Sequence, residues 1–333
     1  MKNINIKDLL NKAKDKNICV IGDVMLDQYL IGKVTRISPE APVQVFETTE
    51  SEPKLGGAAN VSLNLKTLGA NPLLVGIIGK DSDSEILKKA LLLNNQKIDG
   101  LIVEETRPTT CKTRVIADSH HLIRIDSESK KDISVKARNK ILEFLNKNAK
   151  KLDIIILQDY NKGVLTKGLI KSIIEFSKKN KKKLLVDPKF YNFFEYKDVF
   201  LFKPNRKEIE DAFGYKAKDL KELKGLAKDL IKRINCNYLV LTLGENGIMI
   251  FENSINGIKE SSIKTIARKV ADVSGAGDTV ISTIAVFLSV GASVEQAVLI
   301  ANYAAGLVVE EVGIVPIHKD KLIKHFQKHL NNK

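Results

Sequence analysis

Four short apolar runs in this chain each end in a charged or amide residue, and that recurrence restricts the fold more than any other feature. Lys16–Asp23 (KNICVIGD) closes in Gly22-Asp23, and Ile154–Leu157 runs into Gln158-Asp159. Leu184–Val186 ends in Asp187-Pro188-Lys189, and Val199–Phe202 in Lys203-Pro204-Asn205. Unbroken apolar runs of this length suit strands buried on both faces, as in parallel sheets covered by helices. Ligands of such sheets bind beyond the carboxyl ends of the strands. The polar endings therefore mark one functional edge, and Asp23 is its first candidate for substrate contact. Helical patterns over Ser82–Leu93, Val135–Asn146 and Gly168–Lys179, and one opened by Arg206-Lys207-Glu208, separate these strands from further ones at Pro72–Gly79 and Ile98–Val103. Alternation of this kind predicts a doubly wound α/β domain with a mainly parallel sheet and helices on both faces. No linker, repeat or low-complexity stretch divides it, so residues 1–333 read as a single domain.

Two stretches break the alternation. Val24–Ser51 is punctuated by Gly32, Pro39 and Pro42 and holds short alternating pieces such as Val43–Phe46. Thr110–Ala117 and Leu122–Asp126 flank the polar turn Asp118-Ser119-His120-His121. Together, segments 24–54 and 108–126 predict a small β lid inserted in the domain. Its Arg114 and Arg124 could reach an anionic substrate, although arginines on a strand also serve as solvated edge protection.

The net charge is +14, which raises nucleic acid, membranes and anionic small molecules as partners. The densest run, Lys178–Lys183, falls on a predicted helix end and loop, where lysines favour the helix dipole. No nucleic-acid-binding motif accompanies the charge, so a nucleic-acid partner is not expected. No stretch reaches the roughly 18 to 20 apolar residues of a membrane span, and the start, Met1-Lys2-Asn3-Ile4-Asn5, lacks a signal-peptide core, so a cytoplasmic protein without membrane attachment is expected. Cys19, Cys111 and Cys236 and the five histidines form no disulfide or metal-ligand pattern.

The chemistry concentrates in Asp272-Val273-Ser274-Gly275-Ala276-Gly277-Asp278-Thr279, directly before the apolar run Val280–Val290. This reads as a loop feeding a helix. Its glycines present bare N–H groups at the helix start, where the dipole favours an anion such as phosphate. A carboxylate in that place, Asp278, is a candidate base beside a phosphate, and that combination suggests phosphoryl transfer. Gly79-Lys80-Asp81 lacks the spacing and hydroxyl of a P-loop, and Gly275–Val280 lacks the third glycine of a dinucleotide fingerprint. Transfer of this type needs charge neutralisation, so a magnesium ion is expected, with Asn205 and Glu208 organising its water shell. The same Asn-x-x-Glu pair also reads as a helix capping box. Leu55-Gly56-Gly57-Ala58-Ala59-Asn60 opens another helix, where paired glycines allow close ligand approach or serve a tight turn. Asn60 there could hydrogen-bond a substrate hydroxyl.

These residues resemble the ribokinase-like (PfkB-type) carbohydrate kinases from Ile18 to about Pro316. The marks are Gly56–Asn60, Asn205-x-x-Glu208, Thr242-x-Gly244-x-x-Gly247 and Asp272–Asp278. The resemblance implies a ribokinase-like fold with a β lid, Asp278 as base, and Gly275, Ala276 and Gly277 as an anion hole. It implies ATP beside Thr242, Gly244 and Gly247, with Asn302 near the adenine, and Mg2+ held near Asn205 and Glu208 through water. A monovalent cation such as K+ stays open, because Val273 and Ser274 stand where relatives often carry two threonines. Gly22–Tyr29, Arg36–Val43 and Asp159–Gly163 are similar to a subgroup, the heptose 7-phosphate kinases. That likeness implies phosphorylation of the anomeric hydroxyl, on the route to ADP-heptose for bacterial lipopolysaccharide. With such a substrate, Asp23, Gly56, Gly57, Asn60 and Asp159 are the candidates to surround the sugar, and Lys189 and Arg124 the candidates for its phosphate. The subgroup is often followed by a nucleotidyltransferase domain, but no His-x-Gly-His motif occurs here, so none is expected in this chain. A kinase for another sugar and a non-catalytic sugar-phosphate sensor are the alternatives. Because the lid leaves an unpaired edge, and related lids often pair, a homodimer through the lid is expected.

Overall fold

The computed structural model describes residues 4–118, 120–265, 270–311 and 313–330. In chain order come α1 (Ile6–Ala13), β1 (Asn17–Gly22), the long strands β2 (Val24–Ile37) and β3 (Gln44–Gly57), α2 (Ala58–Thr67), β4 (Asn71–Ile78), α3 (Ser82–Leu93) and β5 (Leu101–Val103). There follow β6 (Cys111–Ala117), β7 (His120–Ser127), α4 (Val135–Asn148), β8 (Ile154–Gln158), α5 (Lys167–Lys179), β9 (Lys183–Asp187), β10 (Leu201–Phe202), α6 (Arg206–Phe213) and α7 (Leu220–Ile234). The last elements are β11 (Tyr238–Thr242), β12 (Ile248–Ser254), β13 (Gly257–Ile263), α8 (Ala276–Ser289), α9 (Val294–Val308) and α10 (Lys319–Leu330).

The central sheet runs β13-β12-β11-β10-β9-β8-β1-β4-β5. From β11 to β5 every pairing is parallel, and β12 and β13 close one edge as antiparallel strands. Successive side chains on a strand point to opposite faces, and here both faces are apolar. Ile18, Val20, Ile154, Ile156, Leu185 and Val240 pack into a core on one side. Cys19, Ile21, Ile155, Leu157, Val186 and Leu241 pack into a second core on the other. The first core takes α2, α8 and α9, and the second takes α4, α5 and α7. Helix α8 is buried from Asp278 to Leu288, as expected for a helix apolar on all sides. It runs between the sheet and its neighbours α2 and α9, which fixes its first turn at the strands' carboxyl ends.

The lid is a separate four-stranded sheet, β3-β2-β6-β7. Strands β2 and β3 pair antiparallel along their length, β2 and β6 pair parallel, and β6 and β7 antiparallel. Burial falls off along β2, from buried Val24–Asp27 to exposed Arg36 and Ile37, so the ribbon leaves the core and runs out over solvent.

β13 ends at Ile263, which pairs with Ile248 at the start of β12. Residues 266–269 lie outside the described residues, as does Ser119 of the lid turn. The strand read from Ile98 begins only at Leu101. The connection before Gly247 is a short 3-10 helix over Gly244–Asn246. The lysines from 178 to 183 do close α5 and open β9, at the sheet edge opposite the strands' carboxyl ends.

Candidate active site

At the start of α8, Gly275 takes φ 79° and caps the helix with left-handed backbone, a conformation that glycine adopts without steric cost. A Cβ there would also come within 3.2 Å of the Asn60 amide nitrogen. Ala276, Gly277 and Asp278 form the first helical turn, whose N–H groups have no acceptor inside the helix. Asp278 is 4% exposed and is enclosed by three donors from two distant parts of the chain. Asn60 of α2 donates to its Oδ2 at 2.8 Å. The Tyr160 hydroxyl donates to Oδ1 at 2.8 Å and Gln158, at the end of β8, to the same atom at 3.1 Å. Burial, then the neighbouring Asp187 charge, push the Asp278 carboxyl up to about 7, against the bonds from Asn60 and Tyr160 and the charge of Lys203. Such a carboxyl can give and take a proton near neutrality.

Beside it lies a buried ion pair, Lys203 Nζ to Asp187 Oδ1 at 2.9 Å. Gln158 Nε2 bridges the two acids, since it also donates to Asp187 Oδ2 at 3.1 Å. Lys203 is 3% exposed, and a Cβ built on Gly277 would sit 3.5 Å from its Nζ. A cation therefore stands against the first turn of α8, where negative charge would gather during phosphoryl transfer.

A cavity of about 390 Å³ opens from this point, within the range of small-ligand sites. Asp278, Gly275, Ala276 and Gly277 line it, with Tyr160, Asp187, Lys189 and Lys203. Asn205, Glu208, Thr242, Gly244, Gly247, Thr265, Val280, Asn302, Ala305 and Gly306 line it as well. The capping box is present: Asn205 Oδ1 accepts from Glu208 N at 2.8 Å and Glu208 Oε2 from Asn205 N at 2.9 Å. Glu208 Oε1 pairs with Lys189, whose ammonium also lies 5.6 Å from the Tyr160 ring centre. Asn302 donates to the Lys264 carbonyl at 2.8 Å.

Several residues read as substrate contacts are used differently. The buried Asp23 carboxylate accepts from the Tyr160, Lys162 and Val164 N–H groups at 2.7, 3.1 and 3.3 Å. Asp159 accepts from the Tyr196 hydroxyl at 2.6 Å and the Asn161 N–H at 2.8 Å. Both acids turn inward to the loop after β8, because a buried carboxylate is stabilised by such donors. Asn60 gives its amide N–H to Asp278. Gly56 and Gly57 end β3, paired with Met25 and Val24. Arg124 is an exposed lid residue bonded to Asp126 at 2.8 Å, away from the cavity wall. Strand register sets it directly opposite Arg114, which pairs with the buried Asp27. Sequence reasoning noted the strand ends yet passed over Tyr160, Gln158, Asp187 and Lys203 as site groups. Their signal was the same polar ending that singled out Asp23.

Residues 15–319 match the family described as pfkB family carbohydrate kinase. The bifunctional protein HldE of Syntrophotalea carbinolica is 39% identical over 329 residues, covering 99% of this chain and 66% of that protein. HldE of Aliarcobacter butzleri is 42% identical over 313 residues, covering 94% of this chain and 65% of its own length. The chain thus spans just under two thirds of these relatives. In fold it is similar to Arabidopsis thaliana ribokinase complexed with ribose and ATP, with TM-score 0.73 and 18% identity over 94% of this chain and 99% of that one.

Proposed function

The chain belongs to the pfkB family of carbohydrate kinases, and from that premise we propose that it transfers the γ-phosphoryl group of ATP to the anomeric C1 hydroxyl of D-glycero-β-D-manno-heptose 7-phosphate. The products are heptose 1,7-bisphosphate and ADP, a step toward ADP-heptose and the lipopolysaccharide core. The observation that carries the chemistry is the Asp278 carboxylate at the head of α8, buried, held by three donors and bordering the cavity. Likeness over nearly the whole chain to proteins named HldE supports the sugar, as do the subgroup stretches Gly22–Tyr29, Arg36–Val43 and Asp159–Gly163.

Asp278 takes the hydroxyl proton as the sugar oxygen attacks the γ-phosphorus. The first-turn N–H group of Gly277, with Lys203 beside it, stabilises the charge on the transferred group, next to the Ala276 N–H, which meets the Val273 carbonyl at 3.2 Å. Thr242, Gly244, Gly247 and Asn302 line the nucleotide. Mg2+ bound to the phosphates would supply further charge neutralisation. Asn205 and Glu208 fit it through water: both Glu208 oxygens already accept protein donors, and among the described residues no cluster of three or more His, Cys, Asp or Glu could hold a metal. A monovalent cation such as K+ belongs to the same reading beside the loop where Asp272 accepts from the Ser274 and Gly313 N–H groups. Asp23, Asp159, Gly56, Gly57 and Asn60 shape the sugar side, the two acids through the loop they hold.

A panel of sugar phosphates assayed for ADP release tests the substrate, with heptose 7-phosphate expected to be turned over fastest. For the substrate phosphate, Lys189 and the lid arginine Arg124 are the proposed cations. Arg124→Ala should raise KM severalfold for heptose 7-phosphate and leave KM for unphosphorylated heptose unchanged. Equal effects on both sugars would remove Arg124 from the site. A sensor would bind heptose 7-phosphate and shift its melting temperature without consuming ATP.

The lid also supports a homodimer. Ile123 and Ile125 on β7 are 58% and 54% exposed, on the lid face opposite Arg114 and Arg124 by strand alternation. Pairing of two lids would cover this surface and the free strand edge. Light scattering should return twice the 37.0 kDa chain mass, and Ile123→Lys/Ile125→Lys should return a monomer. A wild-type monomer at assay concentrations would contradict the lid interface.

A further inference from the structure

The loop from Asp159 to Val164 is held more tightly than a connecting loop requires. Its centre is the Asp23 carboxylate, which accepts three of its N–H groups. Arg107 donates to the Lys162 carbonyl and, at 3.0 Å, to that of Ser129. Asn161 and Gly163 take φ 55° and 83°, and a Cβ on Gly163 would lie 2.0 Å from the Lys131 carbonyl oxygen. Bonds of this number fix the Tyr160 backbone, and the Tyr160 hydroxyl is bonded to Asp278 at 2.8 Å.

A carboxylate offers two acceptor positions on each oxygen. On Asp278, Tyr160 and Gln158 occupy both positions of Oδ1, whereas Oδ2 receives Asn60 and keeps one position open. We infer that Tyr160 is a positioning residue for phosphoryl transfer: with Gln158 it fills Oδ1, so that Oδ2 is the atom that accepts the sugar's proton. In that step the sugar O–H bond breaks and its proton goes to Oδ2. The oxygen's electron pair forms the new bond to the γ-phosphorus, and the bond from phosphorus to ADP breaks, with its electrons leaving on ADP. The inference rests on the reading of Asp278 as base.

The other groups facing Asp278 are Asp187 of β9, which raises its pKa, and Lys203, which lowers it. Lys189, beyond β9, is also within electrostatic reach. The Tyr160 bond favours the ionised carboxylate, so its loss should make Asp278 harder to ionise. Tyr196→Phe serves as control, since Tyr196 bonds Asp159 in the same loop without a bond to Asp278.

The test has two readouts on Tyr160→Phe: the pH dependence of kcat with heptose 7-phosphate, and titration of the Asp278 carboxyl carbon by NMR in the substrate-free protein. The titration and the acid limb of kcat should both move up by about one pH unit, the scale of one bond to a charged group. At pH 7 kcat should fall about fivefold and return close to the wild-type value at pH 9, with KM within about twofold. Tyr196→Phe should lower the melting temperature and leave both titrations in place. An unmoved Asp278 titration in Tyr160→Phe, or an equal movement in Tyr196→Phe, overturns the inference. If wild-type protein turns over no sugar, the functional reading fails and the catalytic part of the inference with it, while the NMR titration still decides whether Tyr160 holds the Asp278 carboxylate in its ionised form.

Discussion

Replacing Asp278 with asparagine is expected to lower kcat by about 10²- to 10⁴-fold, the range contributed by a positioned general base, with little change in the affinity for ATP or sugar phosphate. The amide keeps the shape of the carboxylate but cannot take a proton. In the wild type, kcat/KM should fall as pH drops through about 7, because burial and the Asp187 charge raise the Asp278 carboxyl to that value. The stability effect has the opposite sense. A carboxyl raised in the folded state contributes stability that is fully present below its ordinary range and lost as pH rises through its folded value. Ionised Asp278 therefore costs the fold above about 7. The asparagine variant should be at least as stable as wild type at pH 8 by thermal denaturation, which separates lost chemistry from lost structure. A variant with near-wild-type turnover would remove Asp278 from its role.

Lys203→Met should be the most destabilising single change at the site. Lys203 and Asp187 pair at 2.9 Å with side chains 3% and 9% exposed, so removing the cation strands a buried carboxylate. Breaking such a pair costs about 3–5 kcal/mol, read as a lower urea midpoint with unchanged slope. Removing the second charge as well, in Lys203→Met/Asp187→Asn, should recover much of that loss. The single variant should also make Asp278 harder to ionise, because the Lys203 charge favours the carboxylate. A loss below about 1 kcal/mol would place the pair among the weak surface bridges.

The sheet was legible because its strands are buried on both faces: runs such as Ile154–Leu157 leave no room for a polar side chain until the strand ends. The loop at Gly275 was legible for a related reason, since a positive φ before an apolar helix favours glycine. What the sequence concealed was direction. Asp23 and Gln158 both close strands, yet Asp23 turns into the loop after β8 and Gln158 turns to Asp278. The choice depends on hydrogen-bond partners 120 or more residues away in sequence. The same holds for Asn60, whose partner lies 218 residues downstream. Asn205 and Glu208 needed no choice, because a capping box leaves both side chains on the cavity wall. For Arg124, strand alternation gave the face but could not give the reach of the lid.

Sugar-dependent phosphoryl transfer at the head of α8 is measured by following wild-type protein with ATP, Mg2+ and heptose 7-phosphate through ADP release and phosphorus NMR. One ADP is expected for each new phosphate, carried on C1 of a bisphosphate, and none from the Asp278→Asn protein on the same timescale. ATP consumption indifferent to the sugar, or heptose 7-phosphate bound and left unchanged, would contradict it.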